Sequence, residues 1–493
     1  MKHAFDNEKY LKLQVEKINE RVERFGNKLY LEFGGKIFDD FHASRTLPGF
    51  CPNAKIKALT TLKDRVEIVI VINAGDIQNG KMRSDLGLSY DDDVLRLIEV
   101  FNDNDLFVGS VVITQYARQM IVDMFKVRLE NRGIKVYLHY YIPGYPSNIE
   151  LILSSNGFGK NDYIETTKPI VVVAAPGSGS GKMATCLSQL YHENMKGISA
   201  GYAKYETFPI WNLPLKHPVN LAYEAATADI KDALMIDSFH LEAYHQIATN
   251  YNRDIEVFPI LQAIFKHIYG YSPYLSPTEM GINSAGECII DDEIARNASK
   301  QEIIRRYLDA RCDLKNGTVT EETVDKIAFI MSQVGVTVDD RLSVKAALNK
   351  AEKAKVPSMA MELADKTMIT GKTTNLLDAS AATIINALKY YAHIEHDLKL
   401  ISPFVIEPIQ ALKYKYLGSN NQRLHVYEVL IALSMNAMTN PMAEKALKQL
   451  PKLANAQAHS TIMLSSDDLK LLKKLRIDIT AEPILRRINH TNF

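Results

Sequence analysis

The sequence predicts an α/β protein. Its N-terminal part reads as a parallel, Rossmann-like or P-loop-like sheet, its middle as mainly helical, and its C-terminal end as a smaller α/β domain. Three observations carry this. Short β-branched runs alternate with amphipathic stretches from residue 29 onward, the βαβαβ rhythm of a doubly wound parallel sheet. One such run, Ile170–Val173, passes directly into a glycine loop, a lysine and a helix. Near residue 356 the pattern changes to a hairpin followed by helices and a β-α-β close. The corresponding division is 1–225, an α/β domain with a P-loop-like phosphate cradle; 226–345, mainly helical; and 346–493, the smaller α/β domain.

Taken in order, Leu11, Val15, Ile18, Val22 and Phe25 recur at helical spacing and place a helix over 7–25, which Gly26-Asn27 ends. Leu29–Phe33 is a short strand. The stretch Phe38–Phe50 that follows is polar, aromatic and irregular, and gathers His42, Ser44 and Arg45. Loops after strands are where open α/β sheets place ligands, so a phosphate clamp by Arg45 and His42 competes with a self-satisfied Asx-type turn. A helix over 54–62, a buried strand over 65–72, a helix over 91–101, a strand over 109–114, a helix over 121–131 and a strand over 134–140 continue the alternation. Helices are expected over 219–230, 239–249, 257–269, 291–311, 320–334 and 342–355. Ser358–Leu363 and Thr367–Thr370 read as a hairpin, 380–392 as a helix with Asp378 as its cap, and 424–436 as a long helix. Residues 460–464, 467–474 and 477–482 read as β, α, β.

The segment Ala174–Lys182 has the composition of a phosphate cradle. Glycines allow tight turns and aim N–H groups at an anion, the following helix offers a positive dipole end, and lysine adds a mobile charge. The candidate phosphate- or nucleotide-binding residues are Gly177, Ser178, Gly179, Ser180, Gly181 and Lys182, with Arg45 and Lys216 facing them. The P-loop pattern requires glycine where Pro176 stands and a magnesium-binding hydroxyl where Met183 stands. Binding is therefore favoured over hydrolysis. The spacing Gly177, Gly179, Gly181 also departs from the dinucleotide fingerprint, whose third glycine position is Lys182. Glu206 is placed to meet a ribose, and Lys160 and Asn161 to fold back over an anion. ATP or another nucleotide is the candidate ligand, with Mg²⁺ as a candidate metal. Asp237, at the end of a short apolar run, is the best-placed magnesium carboxylate, and with His42 and Arg45 it completes the catalytic candidates. Gly371-Lys-Thr-Thr374 is half a P-loop and a weaker second anion site.

The 493 residues carry 58 Lys+Arg and 58 Asp+Glu, a formal charge of zero that argues against a general nucleic-acid or membrane-surface binder. No run approaches a membrane span and the first twenty residues lack an apolar signal core, so a cytoplasmic protein is expected. The four cysteines form neither a metal-ligand spacing nor a disulfide framework. His240–His245 and His393–His396 are spaced by five and three residues, so neither reproduces the zinc pair of H-E-x-x-H. The expected partner is a small phosphorylated ligand, with association into a homo-oligomer left open. Two readings follow: an enzyme acting on a nucleotide or phosphorylated metabolite, or a non-catalytic nucleotide-sensing, regulatory or scaffold protein.

Several long stretches are distinctive together: Phe38-Asp-Asp-Phe-His-Ala-Ser-Arg45, Gly159-Lys-Asn-Asp-Tyr-Ile-Glu-Thr166, Ala175-Pro-Gly-Ser-Gly-Ser-Gly-Lys-Met183, Pro209-Ile-Trp-Asn-Leu-Pro-Leu-Lys-His-Pro218, Pro277-Thr-Glu-Met-Gly281 and Ile369-Thr-Gly-Lys-Thr-Thr374. Through them nearly the whole chain resembles an uncharacterised bacterial family, a two-part domain-of-unknown-function protein. The resemblance implies an α/β N-terminal part, helical material in the middle and a compact α/β C-terminal domain, and it implies no established reaction. Members are sometimes labelled ATP-dependent zinc proteases, a label that the zinc motif would have to support.

Overall fold

A computed structural model of the chain describes residues 3–83, 87–230, 232–419 and 421–485. It contains two compact units, divided between Ser299 and Lys300. The 226–345 stretch read as helical thus contributes to both.

The N-terminal unit is built on a seven-stranded sheet. Its strands are β1 (Leu29–Phe33), β2 (Val66–Asn73), β3 (Val108–Tyr116), β4 (Lys135–Tyr140), β5 (Ile170–Ala174), β6 (Gly201–Tyr205) and β7 (Gly281–Ile282). Their spatial order is β7-β6-β1-β5-β2-β3-β4, and every adjacent pair is parallel. The fifth strand is inserted between the first two. Ile170 pairs with Leu29 on one side and Val66 on the other. A strand bonded on both edges and covered on both faces must be apolar throughout, and β5 is buried at every position. The chain leaves β1 towards β2 and leaves β5 in the opposite direction towards β6. Their C-terminal loops therefore lie side by side at a topological switch, where open α/β sheets bind ligands.

A buried charge fixes the approach to β5. Glu67 Oε2, within β2, accepts from Thr167 N (2.6 Å), Lys168 N (3.2 Å) and Thr167 Oγ1 (3.1 Å). Gly109 on the neighbouring strand has no side chain because any Cβ there would collide with the Glu67 carboxylate.

Most helical spans match their periodicity, beginning with α1 (Asn7–Arg24), which is capped by Asp6 and buries Tyr10, Gln14, Ile18 and Val22. Several segments differ, among them the strand expected over 460–464, which lies at Gln457–Ser460. The stretch 38–50 is not wholly irregular: Asp40 accepts from Ala43 N (3.2 Å) and starts a short helix, α2 (Phe41–Thr46). The helix expected over 239–249 stops at Tyr244, because His245 takes a left-handed conformation (φ 52°). Thr249–Tyr251 instead pairs antiparallel with Leu234–Ile236.

The C-terminal unit contains a four-stranded sheet of β8 (Ser358–Glu362), β9 (Met368–Lys372), β10 (Gln457–Ser460) and β11 (Asp478–Ala481), in the order β9-β8-β10-β11. The first two pairings are antiparallel and the last is parallel. Met359, Met361, Ile384, Leu388, Val429 and Leu433 lie in its core. Gly371 is a strand residue, not part of an anion loop. A Cβ there would reach 2.5 Å from Thr383 N, so the glycine lets the hairpin approach the helix Ala379–Tyr391.

Burial also predicts a pH dependence. His139, inside β4, lies against the Asp162 carbonyl (Nε2···O 3.2 Å), and burial pushes its imidazole from the usual 6.5 down to about 3. Between those values the unfolded chain binds a proton that the folded chain rejects, so stability must fall as pH drops through this window. Urea unfolding of the wild type and of His139→Gln between pH 4 and 7 is expected to give a flatter slope in the variant, by close to one proton.

Candidate functional site

The glycine loop leaves β5 and enters α3 (Lys182–Met195) through Gly181 at φ +92°. Its carbonyls serve as anchors. Gly179 O accepts from Asn73 Nδ2 (3.3 Å) at the end of β2, and Ser180 O accepts from Thr114 Oγ1 (2.7 Å) on β3. Gly177 O accepts from Ser180 Oγ (2.9 Å), and Gly181 O takes Thr185 N (2.9 Å). The amides are arranged the other way. The N–H groups of Gly177, Ser178, Gly179, Gly181, Lys182, Met183 and Ala184 donate to no acceptor among the described residues. Ser178 and Gly179 are exposed, whereas Ser180 is buried with its hydroxyl spent inside the loop.

Below the loop the sheet carries charges at its C-terminal edge. Glu32 on β1 is in register with Val173 on β5 and Lys204 on β6. Tyr202 donates to Glu32 Oε2 (2.7 Å). Lys204 bridges Glu206 (2.8 Å) and Asp254 (2.7 Å), the latter in the first turn of α4 (Asn252–Tyr269). Burial opposes the Lys204 charge, but Asp254 and then Glu206 hold its pKa well above the ordinary value. Burial raises the Glu206 carboxyl while Lys204 pulls it down. Arg253 pairs with Asp232 (3.4 Å).

Lys182 differs from Lys204. The residue is half-buried as a whole, and its ammonium makes no ion pair among the described residues. Burial lowers its pKa, Glu32 pulls it back up, and Lys204 and Arg253 lower it further. A cation without a close partner thus sits beside two others, next to a row of unpaired amides.

The other sequence candidates are distributed as follows. His42, on α2, packs edge-on against Phe208 and Tyr223, each at 5.3 Å between centroids. The Tyr223 hydroxyl is pushed up to about 12, by burial first and then by Asp40, with Arg253, Asp232 and Glu206 also acting on it. Tyr223 also packs on Tyr251 (5.8 Å between centroids), whose ring lies 5.9 Å from the Arg253 guanidinium, so His42 approaches the charged edge through these rings, and Arg45 lies half-buried on the same short helix. Lys216 is exposed in a proline-rich loop, without an ion pair among the described residues. Asp237 acts as a structural cap: its carboxylate accepts from His240 N (3.0 Å), Thr278 N (3.1 Å) and Thr278 Oγ1 (2.6 Å). Asn161 is buried between Tyr140 N (2.8 Å) and Ser188 Oγ (3.0 Å), and Cys186 is buried with its thiol pKa raised by that burial. Glu32, Lys204 and Asp254 escaped the sequence reading. The signal for Glu32 and Lys204 was a single charge near the end of an apolar strand, in Leu-Tyr-Leu-Glu-Phe and Gly-Tyr-Ala-Lys-Tyr.

Comparison with known proteins agrees with the two-part organisation. Residues 3–335 match the family described as Domain of unknown function DUF1846, N-terminal, and residues 339–490 match its C-terminal counterpart. The chain belongs to this family. It is 54% identical over 483 residues to a UPF0371 protein of Streptococcus uberis, covering 98% of both chains. It is equally identical over 482 residues to one from Streptococcus thermophilus, again covering 98% of both. A third, from Streptococcus pyogenes, is 54% identical over 481 residues, 98% of this chain and 97% of the relative. The family description carries no protease assignment. No helix among the described residues is long and apolar enough to cross a membrane.

The loop geometry makes its glycines unequal. A Cβ on Gly181 would lie 3.0 Å from Thr114, on a backbone already at φ +92°, whereas Gly179 (φ +76°) has open space around it. Gly179→Ala should therefore cost only the left-handed penalty of about 1–2 kcal/mol, and Gly181→Ala distinctly more. Chemical denaturation of both variants reads the difference.

Proposed function

We propose that the chain binds a phosphorylated small molecule, a nucleotide or a sugar phosphate, at the 176–183 loop. The observation that carries this is the division of labour in the loop: carbonyls tied to the protein, amides left without acceptors, and a lysine without a counter-ion beside them. Phosphate oxygens accept several N–H bonds at once and are stabilised by the positive end of α3. Lys182 supplies the remaining charge. Arg253, and α2 with His42 and Arg45, stand along the same edge as the source of further contacts.

Within this reading, recognition without turnover is the better-supported form. An NTPase of the P-loop type holds its metal with a hydroxyl directly after the lysine, and here that residue is Met183. The nearest buried hydroxyl in the loop, Ser180, is committed to Gly177 O. A non-catalytic nucleotide sensor needs neither.

Calorimetric titration with inorganic phosphate, ATP, ADP and sugar phosphates tests the proposal. At least one is expected to bind, and Lys182→Ala to weaken it tenfold or more, about 1.4 kcal/mol. Unchanged affinity in the variant rejects the role of Lys182. The pH dependence has a definite sign. Only the ammonium form attracts an anion, and the free protein holds the Lys182 pKa below 10.5. A phosphate monoester, with a second pKa of about 6, is fully ionised well before that range. Affinity should therefore decline on the alkaline side before an ordinary lysine would titrate, and the decline should vanish in Lys182→Ala.

A further inference from the structure

We propose that the C-terminal unit holds a divalent metal ion between Asp378, His425 and Asp468. Asp378 Oδ2 lies 3.0 Å and Asp468 Oδ2 3.1 Å from the same imidazole nitrogen, Nδ1 of His425. Both aspartates are buried, at 5% and 3% exposure, and His425 is half-buried. One ligand atom from each residue falls within 4.8 Å of the others.

Each residue is set in place by backbone contacts that do not involve the other two side chains. Asp378 and His425 start the helices Ala379–Tyr391 and Val426–Ala437. Their preceding residues, Leu377 and Leu424, form an isolated parallel bridge, with Asp378 N donating to Leu424 O (3.1 Å). Asp468 sits in the first turn of the helix Ser466–Lys474, where Ser465 Oγ accepts its amide (3.2 Å). Its Oδ1 accepts from Val426 N (3.0 Å), which leaves Oδ2 for His425 alone among the described residues. Three helix N-termini thus converge on the cluster, and the ionised carboxylate is the form that binds metal.

Imidazole Nδ1 carries at most one proton, and here two carboxylate oxygens are aimed at it. A metal ion satisfies all three atoms at once. Donors about 2.1 Å from a common ion at near-right angles are about 3 Å apart, which the observed separations match. The charge balance agrees. Glu428 is neutralised by Lys413 (2.8 Å), and a 2+ ion in place of the imidazole proton would balance the two aspartates. The side-chain amide of Asn421, 3.0 Å from Nε2, holds the far edge of the ring. As placed, its Nδ2 faces the ring and its Oδ1 accepts from Arg423 N (3.2 Å); a metal on Nδ1 calls for the amide turned so that the oxygen accepts the Nε2 proton. Two carboxylates and one imidazole are hard-to-borderline donors, suited to Mn²⁺ or Zn²⁺ rather than to an ion that prefers thiolates.

The experiment uses the full chain, stripped with EDTA, dialysed and titrated with MnCl₂ and ZnCl₂ by calorimetry, with thermal unfolding in parallel. One ion per chain is expected, with a rise in Tm. Asp468→Asn keeps an oxygen for Val426 N while removing the charge, and it is expected to weaken binding at least a hundredfold, as is His425→Gln. Should either variant fail to fold, the wild type alone decides: pulsed EPR of bound Mn²⁺ should show coupling to one imidazole nitrogen. No binding of either ion, binding unchanged in the folded variants, or bound Mn²⁺ without nitrogen coupling would each overturn the assignment.

Discussion

The N-terminal unit depends on β5 being bonded on both sides. Ile170–Ala174 pairs with β1 and β2 in a fixed register, and a slip of one residue would turn every side chain to the opposite face. The register is pinned at the strand's entry by the Glu67 carboxylate, which collects the Thr167 and Lys168 amides inside the sheet. A carboxylate in that position would be costly without those donors, so the pairing of β2 and the entry to β5 stabilise each other. The exit from β5 is then equally determined. Asn73 and Thr114, at the ends of the next two strands, reach the carbonyls of the glycine loop and orient its peptide planes.

This explains what the sequence made legible and what it did not. The apolar runs of β2 and β5 and the helical spacing in α1 and α3 are local signals, and the elements formed where those signals lie. The glycine loop was recognised as following the fifth strand, but no local signal says that the fifth strand inserts between the first two. That insertion is what places the loop after β1 beside the glycine loop. Asp237 misled for a related reason. An acidic residue after a short apolar run has the same local appearance whether it faces a metal or caps a helix, and only Thr278, forty-one residues later, decides. Glu32 and Lys204 were passed over because each is a lone charge in an apolar strand, and their register on adjacent strands is a tertiary fact.

The two lysines at the sheet edge show how burial separates roles. Lys204 is enclosed by Glu206 and Asp254, so removing either partner would leave an uncompensated buried charge. Such a group is structural first, and it holds β6 to the start of α4. Lys182 feels Glu32 at longer range and makes no ion pair among the described residues. Burial acts against its charge, and an incoming anion would reverse that effect. Of the two, only Lys182 has electrostatic free energy to gain from a ligand.

The start of α3 gives the final argument. Several helices of the N-terminal unit are closed by side chains, Asp6, Asp40, Ser89 and Ser276 each accepting a first-turn amide, while those starting at Ala54, Met120 and Asn252 have no side-chain cap. A cap of this kind contributes about 1 kcal/mol and fills the position an anion would take. The helix that begins at Lys182 is preceded by glycine, which has no side chain to offer, in a left-handed conformation, and the following amides have no acceptor among the described residues. That arrangement forgoes the stability of a cap. Its carbonyls are firmly bonded, so the loop is not simply loose. Under the proposed function, an exogenous acceptor takes the place of the absent cap, and the ligand's oxygens complete hydrogen bonds that the chain leaves unmade.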